Sequence, residues 1–265
     1  GYGQSLNCHA GSLYPDDPNH FRCWTYRMGF RPHGELNGPQ AIMRSCNMFF
    51  FQVGQRLTAR GLRTWFERYG LGKVTDCGLE ELATHGATGR GDKAAALMAI
   101  GQGPVEWTVL QAASAYATLA REGRTITPSF LADTPPRPAT DFTLARRGVE
   151  LALEGMALSA NDPNGTSGTL PLPDNRREKV FNLTDVEIYA KSGTAEAPDL
   201  RITTQDSDGR FLRQVVRQGD HAWMIVLANR PDATRPEFVV AVVVEYGGSG
   251  GRVAGPIANQ ILHAL

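Results

Sequence analysis

The chain has 265 residues, 42% of them hydrophobic and 20% charged, a balance that supports a folded core and excludes a disordered tail. Lys+Arg and Asp+Glu stand at 27 each, so the composition carries neither the basic excess of a nucleic-acid binder nor a field that would steer a cationic partner. The longest apolar runs, such as Phe238–Val244, fall far short of the roughly 18 residues a membrane helix needs.

The length allows one large domain or two small ones. The chain opens at Gly1 with no initiator methionine and no charged-then-apolar leader, which reads as a piece of something longer. Residues 1–37, rich in Gly, Pro, Asn and Asp, show no sustained period and read as irregular. Residues 52–69 place Val53, Leu57, Leu62, Trp65, Phe66 and Tyr69 at helical spacing, with Gly70 as the stop; these aromatics read as core, not as ligand-binding groups. After a loop at 86–92, residues 105–122 repeat the pattern with Val105, Val109, Ala113, Tyr116 and Leu119 before Gly123. The Pro-rich stretch 133–140 is either a link between subdomains or an ordinary surface loop. A further helix is predicted over 149–158 and a loop over 161–177.

The C-terminal third changes character. Residues 221–228 and 238–245 are rich in β-branched and aromatic side chains, and 229–236 between them has turn chemistry. The spacing predicts an antiparallel hairpin whose second strand is apolar enough to be buried on both faces. A Gly-rich break at 247–251 leads to a last helix over 256–265, with Pro256 in its first turn. Helices in the middle and a sheet at the end predict an α/β architecture with segregated parts and no internal repeat. The whole of 1–265 then reads as one unit: an irregular 1–37, a mainly helical 38–180 and a sheet-forming 181–265.

Two short strings carry chemistry. Lys191-Ser192-Gly193-Thr194 follows the strand-like 187–190. A lysine there places positive charge beside a nucleophile, hydroxyls bind a carboxylate, and glycine lets a substrate backbone lie against the strand edge. Without support the string is equally an ordinary strand-end turn. The second is Ser45-Cys46-Asn47, just before an aromatic run at 48–51. In an extended or looping backbone residues i and i+2 project to one side, so Ser45 and Asn47 face one cleft while Cys46 points away. Such a serine relays a proton and such an asparagine holds an amide, although Ser and Asn are also common helix caps.

Four cysteines, at 8, 23, 46 and 77, are too few for a disulfide scaffold. Cys77 lies in a turn and reads as structural. Cys8, Cys23, His33 and Cys46 are ligands suited to tetrahedral zinc, although no Cys-x-x-Cys pair is present. A Cys8–Cys23 disulfide or free buried thiols are the alternatives.

Taken in order and with their flanks, these strings resemble the class B penicillin-binding proteins, and within them the elongation-class, penicillin-binding protein 2 branch. The resemblance runs through Phe21-Arg22-Cys23-Trp24, 41–52, Ala99-Ile100-Gly101-Gln102-Gly103, Thr108-Val109-Leu110-Gln111, Gly165-Thr166, 191–196, His221-Ala222-Trp223 and the Ala254-Gly255-Pro256-Ile257-Ala258 ending. It implies the serine transpeptidase fold, an antiparallel sheet flanked by helices. It also implies a peptidoglycan D,D-transpeptidase that cross-links stem peptides through an acyl-serine and is acylated by β-lactam antibiotics. Ser45 is then the proton relay, and Asn47 and Lys191 orient and polarise. Ser192 or Thr194 binds the substrate carboxylate, Gly193 lies against its backbone, and the Thr194 N–H supplies half of an oxyanion hole.

One departure stands out. The family's first motif, Ser-x-x-Lys, carries the nucleophile, and it is absent: three positions before Lys73, Lys93, Lys179 and Lys191 stand Gly70, Arg90, Arg176 and Ile188. Truncation that removes the N-terminal strands and the nucleophile helix is the simpler expectation; degeneration is the other. Some elongation-class relatives carry a zinc site whose last ligand is the middle residue of the second motif, which here is Cys46, with a histidine upstream as at His33. The family further implies a SEDS-type glycan polymerase and elongation-complex proteins as partners, no nucleic acid, and a place on the periplasmic face of the bacterial inner membrane through an anchor outside these residues. A β-lactamase or β-lactam sensor shares the motifs, and a non-catalytic wall-binding scaffold is the rival of another class. The Gly-Gln-Gly segment argues against the first.

Overall fold

The β-branched and small apolar residues near the C-terminus pair as predicted and carry the centre of the molecule. The computed structural model describes residues 3–81, 83–135, 137–138, 141–174, 176–205 and 208–265. The N-terminal half runs β1 (Leu6–Cys8), α1 (Trp24–Arg27), β2 (Gly34–Leu36), α2 (Gly38–Met43), α3 (Asn47–Arg68), α4 (Gly91–Ala99) and α5 (Val109–Ala120). Next come β3 (Ile126–Thr127), β4 (Arg137–Pro138), α6 (Arg146–Asn161), β5 (Thr169–Pro171) and β6 (Arg177–Lys179). The last part is β7 (Glu187–Glu196), β8 (Leu200–Gln205), β9 (Phe211–Arg217), β10 (Asp220–Asn229), β11 (Phe238–Val244) and α7 (Gly250–His263). Among the described residues no helix is long and apolar enough to cross a membrane.

The core sheet is antiparallel, ordered β11-β10-β7. Met224 stands opposite Val242 on one side and Ser192 on the other. Ala222, Met224, Val226 and Ala228 face α7, where Ala254 and Ala258 let the helix lie close. Leu227 on the opposite face packs with Ala120 of α5 and Met156 of α6. The strand buried on both faces is therefore β10, not the 238–245 strand for which it was predicted. β11 buries Val240 and Val242 and leaves Phe238 exposed at its end. Composition alone made β11 the more apolar strand; its position at the sheet edge decided otherwise.

Other boundaries moved for local reasons. The helix predicted over 52–69 forms, but it starts at Asn47 and is broken at Thr58, whose φ of 65° lies outside the helical region. The helix predicted from 105 starts at Val109, because Thr108 and Gln111 form a reciprocal capping box; Val105 instead bridges Ala87. The loop at 86–92 ends where α4 begins, and the loop at 161–177 contains β5, paired to β6. In the Pro-rich stretch, Arg137 and Pro138 pair with β3, while Pro136, Ala139 and Thr140 lie outside the described residues, as do Gly1 and Asn175.

α7 begins at Gly250 and carries Pro256 inside it, so 247–251 is not simply a break. A Cβ on Gly250 would collide with the carbonyl oxygens of Trp223 and Gly193. The helix start rides directly on the backbones of β10 and β7, which only glycine allows. Residues 1–37 are not irregular throughout: β1 pairs with β2, with Cys8 opposite Gly34. The β8–β9 hairpin, absent from the sequence reading, projects between β7 and β10 and is exposed along its whole length.

Candidate active site and metal centre

β7 supplies one wall of the site. The Lys-Ser-Gly-Thr string lies inside this strand, not at its end, and β10 covers one side of it. Successive peptide groups of a strand point to opposite edges. Those of Ser192, Thr194 and Glu196 turn away from β10: the Ser192 N–H donates to Ser167 Oγ at 2.8 Å, and Gln102 bonds the Thr194 carbonyl and the Glu196 N–H. The Thr194 N–H falls on this same open edge by the same alternation. Gly193 sits against Trp223, where a Cβ would come within 3.1 Å of the indole's Cβ.

Lys191 reaches across to the second wall. Its ammonium donates to Ser45 Oγ at 2.9 Å and to the Ser192 carbonyl at 2.6 Å. Burial pulls its pKa down to about 8, so the group sits close to losing its proton near neutral pH. Ser45 closes α2: its N–H bonds the Ile42 carbonyl at 3.1 Å and that of Cys46 bonds Ala41 at 2.9 Å. It does so in the left-handed region, at φ 51°, a conformation that costs a non-glycine residue about 1 kcal/mol. Held this way, Ser45 points at Lys191 while Cys46, fully buried, points to the other side and caps α3. Asn47 is the first residue of α3, and its amide donates to the Arg22 carbonyl at 3.4 Å.

The 165–168 turn stitches the walls together. The Thr166 N–H bonds the Met43 carbonyl at 3.2 Å, and Ser192 Oγ donates to the Thr166 carbonyl at 3.3 Å. Ser167 and Ser159, both fully buried, share a hydroxyl contact of 2.9 Å. Structure thus joins Lys191 to Ser45 and leaves Thr194 exposed, while the Ser192 hydroxyl is turned into the protein. Gln102 and Ser167 were missed as site residues. Their only signal was the Gly-Gln-Gly and Gly-Thr strings noted within the resemblance.

Behind Ser45 lies the second constellation. The β1–β2 pairing sets Cys8 beside His33, α1 starts on Cys23, and α3 starts on Cys46. Their four donor atoms lie within 4.8 Å of one another. Nδ1 of His33 is 3.7 Å from Cys8 Sγ and 3.6 Å from Cys23 Sγ, and the Cys23 and Cys46 sulfurs are 3.9 Å apart. Tetrahedral zinc with Zn–S of about 2.3 Å and Zn–N of about 2.0 Å sets these edges at roughly 3.5–3.8 Å. The residues fit the metal. All four cysteines of the chain carry free thiols. Hydrogen bonds from the Cys46 and Cys8 thiols push Cys23 far down toward thiolate, and the same contact pushes Cys46 up. Burial opposes charge on His33, yet its contacts to Cys23 and Cys8 hold it up at about 9. A nest that concentrates thiolate in this way is the chemistry of a cation site.

The chain belongs to the penicillin binding protein transpeptidase domain family, whose model matches residues 3–263. It is similar to the peptidoglycan D,D-transpeptidase MrdA of Salmonella typhimurium strain LT2, 29% identical over 276 residues that cover 95% of this chain and 41% of the relative. The chain therefore spans about two fifths of the length of that curated relative. Among solved structures, Pseudomonas aeruginosa PBP2 in complex with WCK 5153 matches with a TM-score of 0.70 at 23% identity, covering 99% of this chain and 55% of that one. The complex of Helicobacter pylori PBP2 with MreC matches with a TM-score of 0.73 at 18% identity, covering 100% of this chain and 46% of that one. The fold is that of penicillin-binding transpeptidase domains.

Proposed function

We propose that the chain is most of the transpeptidase domain of a peptidoglycan D,D-transpeptidase of the elongation class, and the observation that carries this is the 2.9 Å contact of Lys191 with Ser45 beside the open edge of β7. An extended stem peptide ending in D-Ala-D-Ala adds to that edge by main-chain hydrogen bonds. A serine supplied from outside these 265 residues, which hold no Ser-x-x-Lys, attacks the penultimate D-Ala carbonyl. The Thr194 N–H stabilises the developing oxyanion. Ser45 relays the nucleophile's proton to the departing D-Ala amine, taking one proton as it gives one, with Lys191 holding its hydroxyl in place and lowering the cost of transient negative charge. Deacylation by a neighbouring stem-peptide amine completes the cross-link, and β-lactams acylate the same serine. Ser192, turned toward Thr166, serves the wall more than the substrate, so carboxylate binding falls to Thr194.

The Cys8, Cys23, His33 and Cys46 nest takes one zinc ion with four protein ligands and no open position, a structural role. It ties β1, α1, β2 and α3 to the back of Ser45 and Asn47, keeping both in the cleft. The MreC bound by Helicobacter pylori PBP2 extends the proposal to an MreC-type scaffold, and the family resemblance extends it to a SEDS-type polymerase at the periplasmic face of the inner membrane.

Labelling with a fluorescent penicillin tests the reading. The full-length gene product is expected to label at one site per chain, and the 265-residue chain alone not at all. Labelling of the 265-residue chain would overturn the external nucleophile, and an unlabelled full-length protein would overturn the transpeptidase itself.

A further inference from the structure

The Gly101-Gln102-Gly103 turn is remote from β7 in sequence, yet its side chain lies on that strand. The turn is locked to the end of α4: the N–H groups of Gly101 and Gln102 bond the carbonyls of Met98 and Leu97, each at 3.0 Å. Gly101 and Gly103 have φ of 72° and 69°, and a Cβ on Gly103 would press on Leu97 at 3.2 Å. Both positions therefore call for glycine, and the backbone that carries Gln102 has one conformation. From it the side chain donates Nε2–H to the Thr194 carbonyl at 2.9 Å and accepts the Glu196 N–H on Oε1 at 3.2 Å. These two groups flank Ala195 on the open edge of β7, where a neighbouring strand would bond.

β10 holds the far edge of this end of β7, up to Asp220 opposite Glu196, and on the edge that faces away from β10 Gln102 makes both main-chain bonds beside Ala195. Thr194 and Glu196 are exposed, and the strand leads at once into the exposed β8–β9 hairpin. We propose that Gln102 is a positioning residue for the acyl donor: its carboxamide stands in for an adjacent strand and fixes the peptide planes on either side of Ala195. The Thr194 N–H is thereby aimed at the oxyanion. The carbonyl of Thr194 has two lone pairs and Gln102 takes one, which leaves the other for an N–H of the incoming peptide. An edge ordered before the peptide arrives binds it without a further loss of freedom. This inference rests on the transpeptidase reading, since it needs a peptide on this edge.

Two substitutions in the full-length protein test it. Gln102→Ala should speed amide hydrogen exchange at Glu196 by about tenfold and slow penicillin acylation by about tenfold, the effect of roughly one hydrogen bond's worth of order, with the circular dichroism spectrum unchanged. Gln102→Glu separates positioning from mere support. A protonated carboxyl reproduces both the donor and the acceptor of the amide, whereas the ionised form faces the Thr194 carbonyl with negative charge. Acylation of that variant should match wild type at low pH and fall as pH rises through the new carboxyl's pKa, while wild type shows no such step. Wild-type acylation in Gln102→Ala, or a faster rate, would overturn the inference. So would a Gln102→Glu pH profile that follows wild type, or unchanged exchange at Glu196. If wild type itself fails to acylate, the transpeptidase reading has failed, and the exchange result still reports whether Gln102 orders the edge.

Discussion

The two walls of the site are held by different physics. Lys191 and Thr194 stand on a strand of a sheet whose inner residues, Ala190, Ala222, Met224 and Val226 among them, are fully buried. Ser45 and Asn47 stand on a segment threaded through Cys8, Cys23, His33 and Cys46, with Trp24 Nε1 bonding the Arg44 carbonyl at 3.0 Å as an added brace. The first wall is maintained by volume and area, so it should be sensitive to a missing methyl and indifferent to chelators. The second packs Leu6, Leu36, Ala41, Met48 and Phe49 around the same sulfurs, and on the proposed zinc reading its ligands add a sensitivity to chelators that the first wall lacks. They meet at the hydrogen bond from Lys191 to Ser45 and through Thr166, which bonds Met43 on one side and Ser192 on the other. A site assembled this way can lose half its geometry while the fold survives.

The largest effect expected belongs to the sheet. Met224 is fully buried between β10 and α7, and Met224→Ala should cost about 3 kcal/mol, since lost transfer energy and the cavity left behind add. A urea midpoint would show it, and a loss below about 1 kcal/mol would break the claim that packing holds this wall. Chelator should change this variant's deficit little, because Met224 and the cysteine nest lie in separate clusters with no shared partner.

The metal wall comes next. About one zinc per chain is expected by elemental analysis, with all four thiols titratable after chelation. Cys46→Ser, or chelation, should lower stability by at least about 2 kcal/mol and reduce acylation of the full-length protein in parallel. Amide exchange should rise in β1, α1 and β2 and stay slow in β10. No bound metal and only two titratable thiols would replace zinc with a Cys8–Cys23 disulfide.

The smallest effect lies where the walls meet. Folding lowers the pKa of Lys191 from 10.5 to about 8 by burial. Between those two values the unfolded chain holds the proton more tightly, so wild-type stability rises with pH through that window, and below about 8 the full penalty of the buried charge applies. Lys191→Met removes the penalty together with the contact to Ser45. At pH 7 the variant should be about 1 kcal/mol more stable than wild type, the lost contacts to Ser45 and Ser192 offsetting most of the relieved penalty, and the difference should reverse as pH rises to 10.5, while acylation is lost. A pH-independent gap in urea midpoints would show that burial of the charge is not what the fold opposes there.

How much of this was readable can be argued residue by residue. Thr108 and Gln111 announced the start of α5, since a capping box is local chemistry, although the apolar pattern at Val105 obscured it. The β8–β9 hairpin left a legible trace in its β-branched residues and the Asp208-Gly209 turn, but its apolar side chains, such as Leu200, Ile202, Phe211 and Leu212, stay exposed and join no core. Gly250 was misread as part of a break because the reason for glycine there, the carbonyls of Trp223 and Gly193, comes from two distant strands.

By itself the sequence determined the elements whose causes are local: helix periodicity, caps, the paired apolar strands, and the residue types at 45–47 and 191–194. The tertiary structure alone decided which strand became central, and that Ser45 takes a left-handed turn pointing it at Lys191. It also decided that four ligands spread over residues 8–46 converge, and that Gln102 reaches an edge 92 residues away. The physical reason is the same in each case. Periodicity and capping act over one or two turns of chain, whereas burial on a second face, ligand convergence and edge pairing depend on partners that sequence separation does not encode.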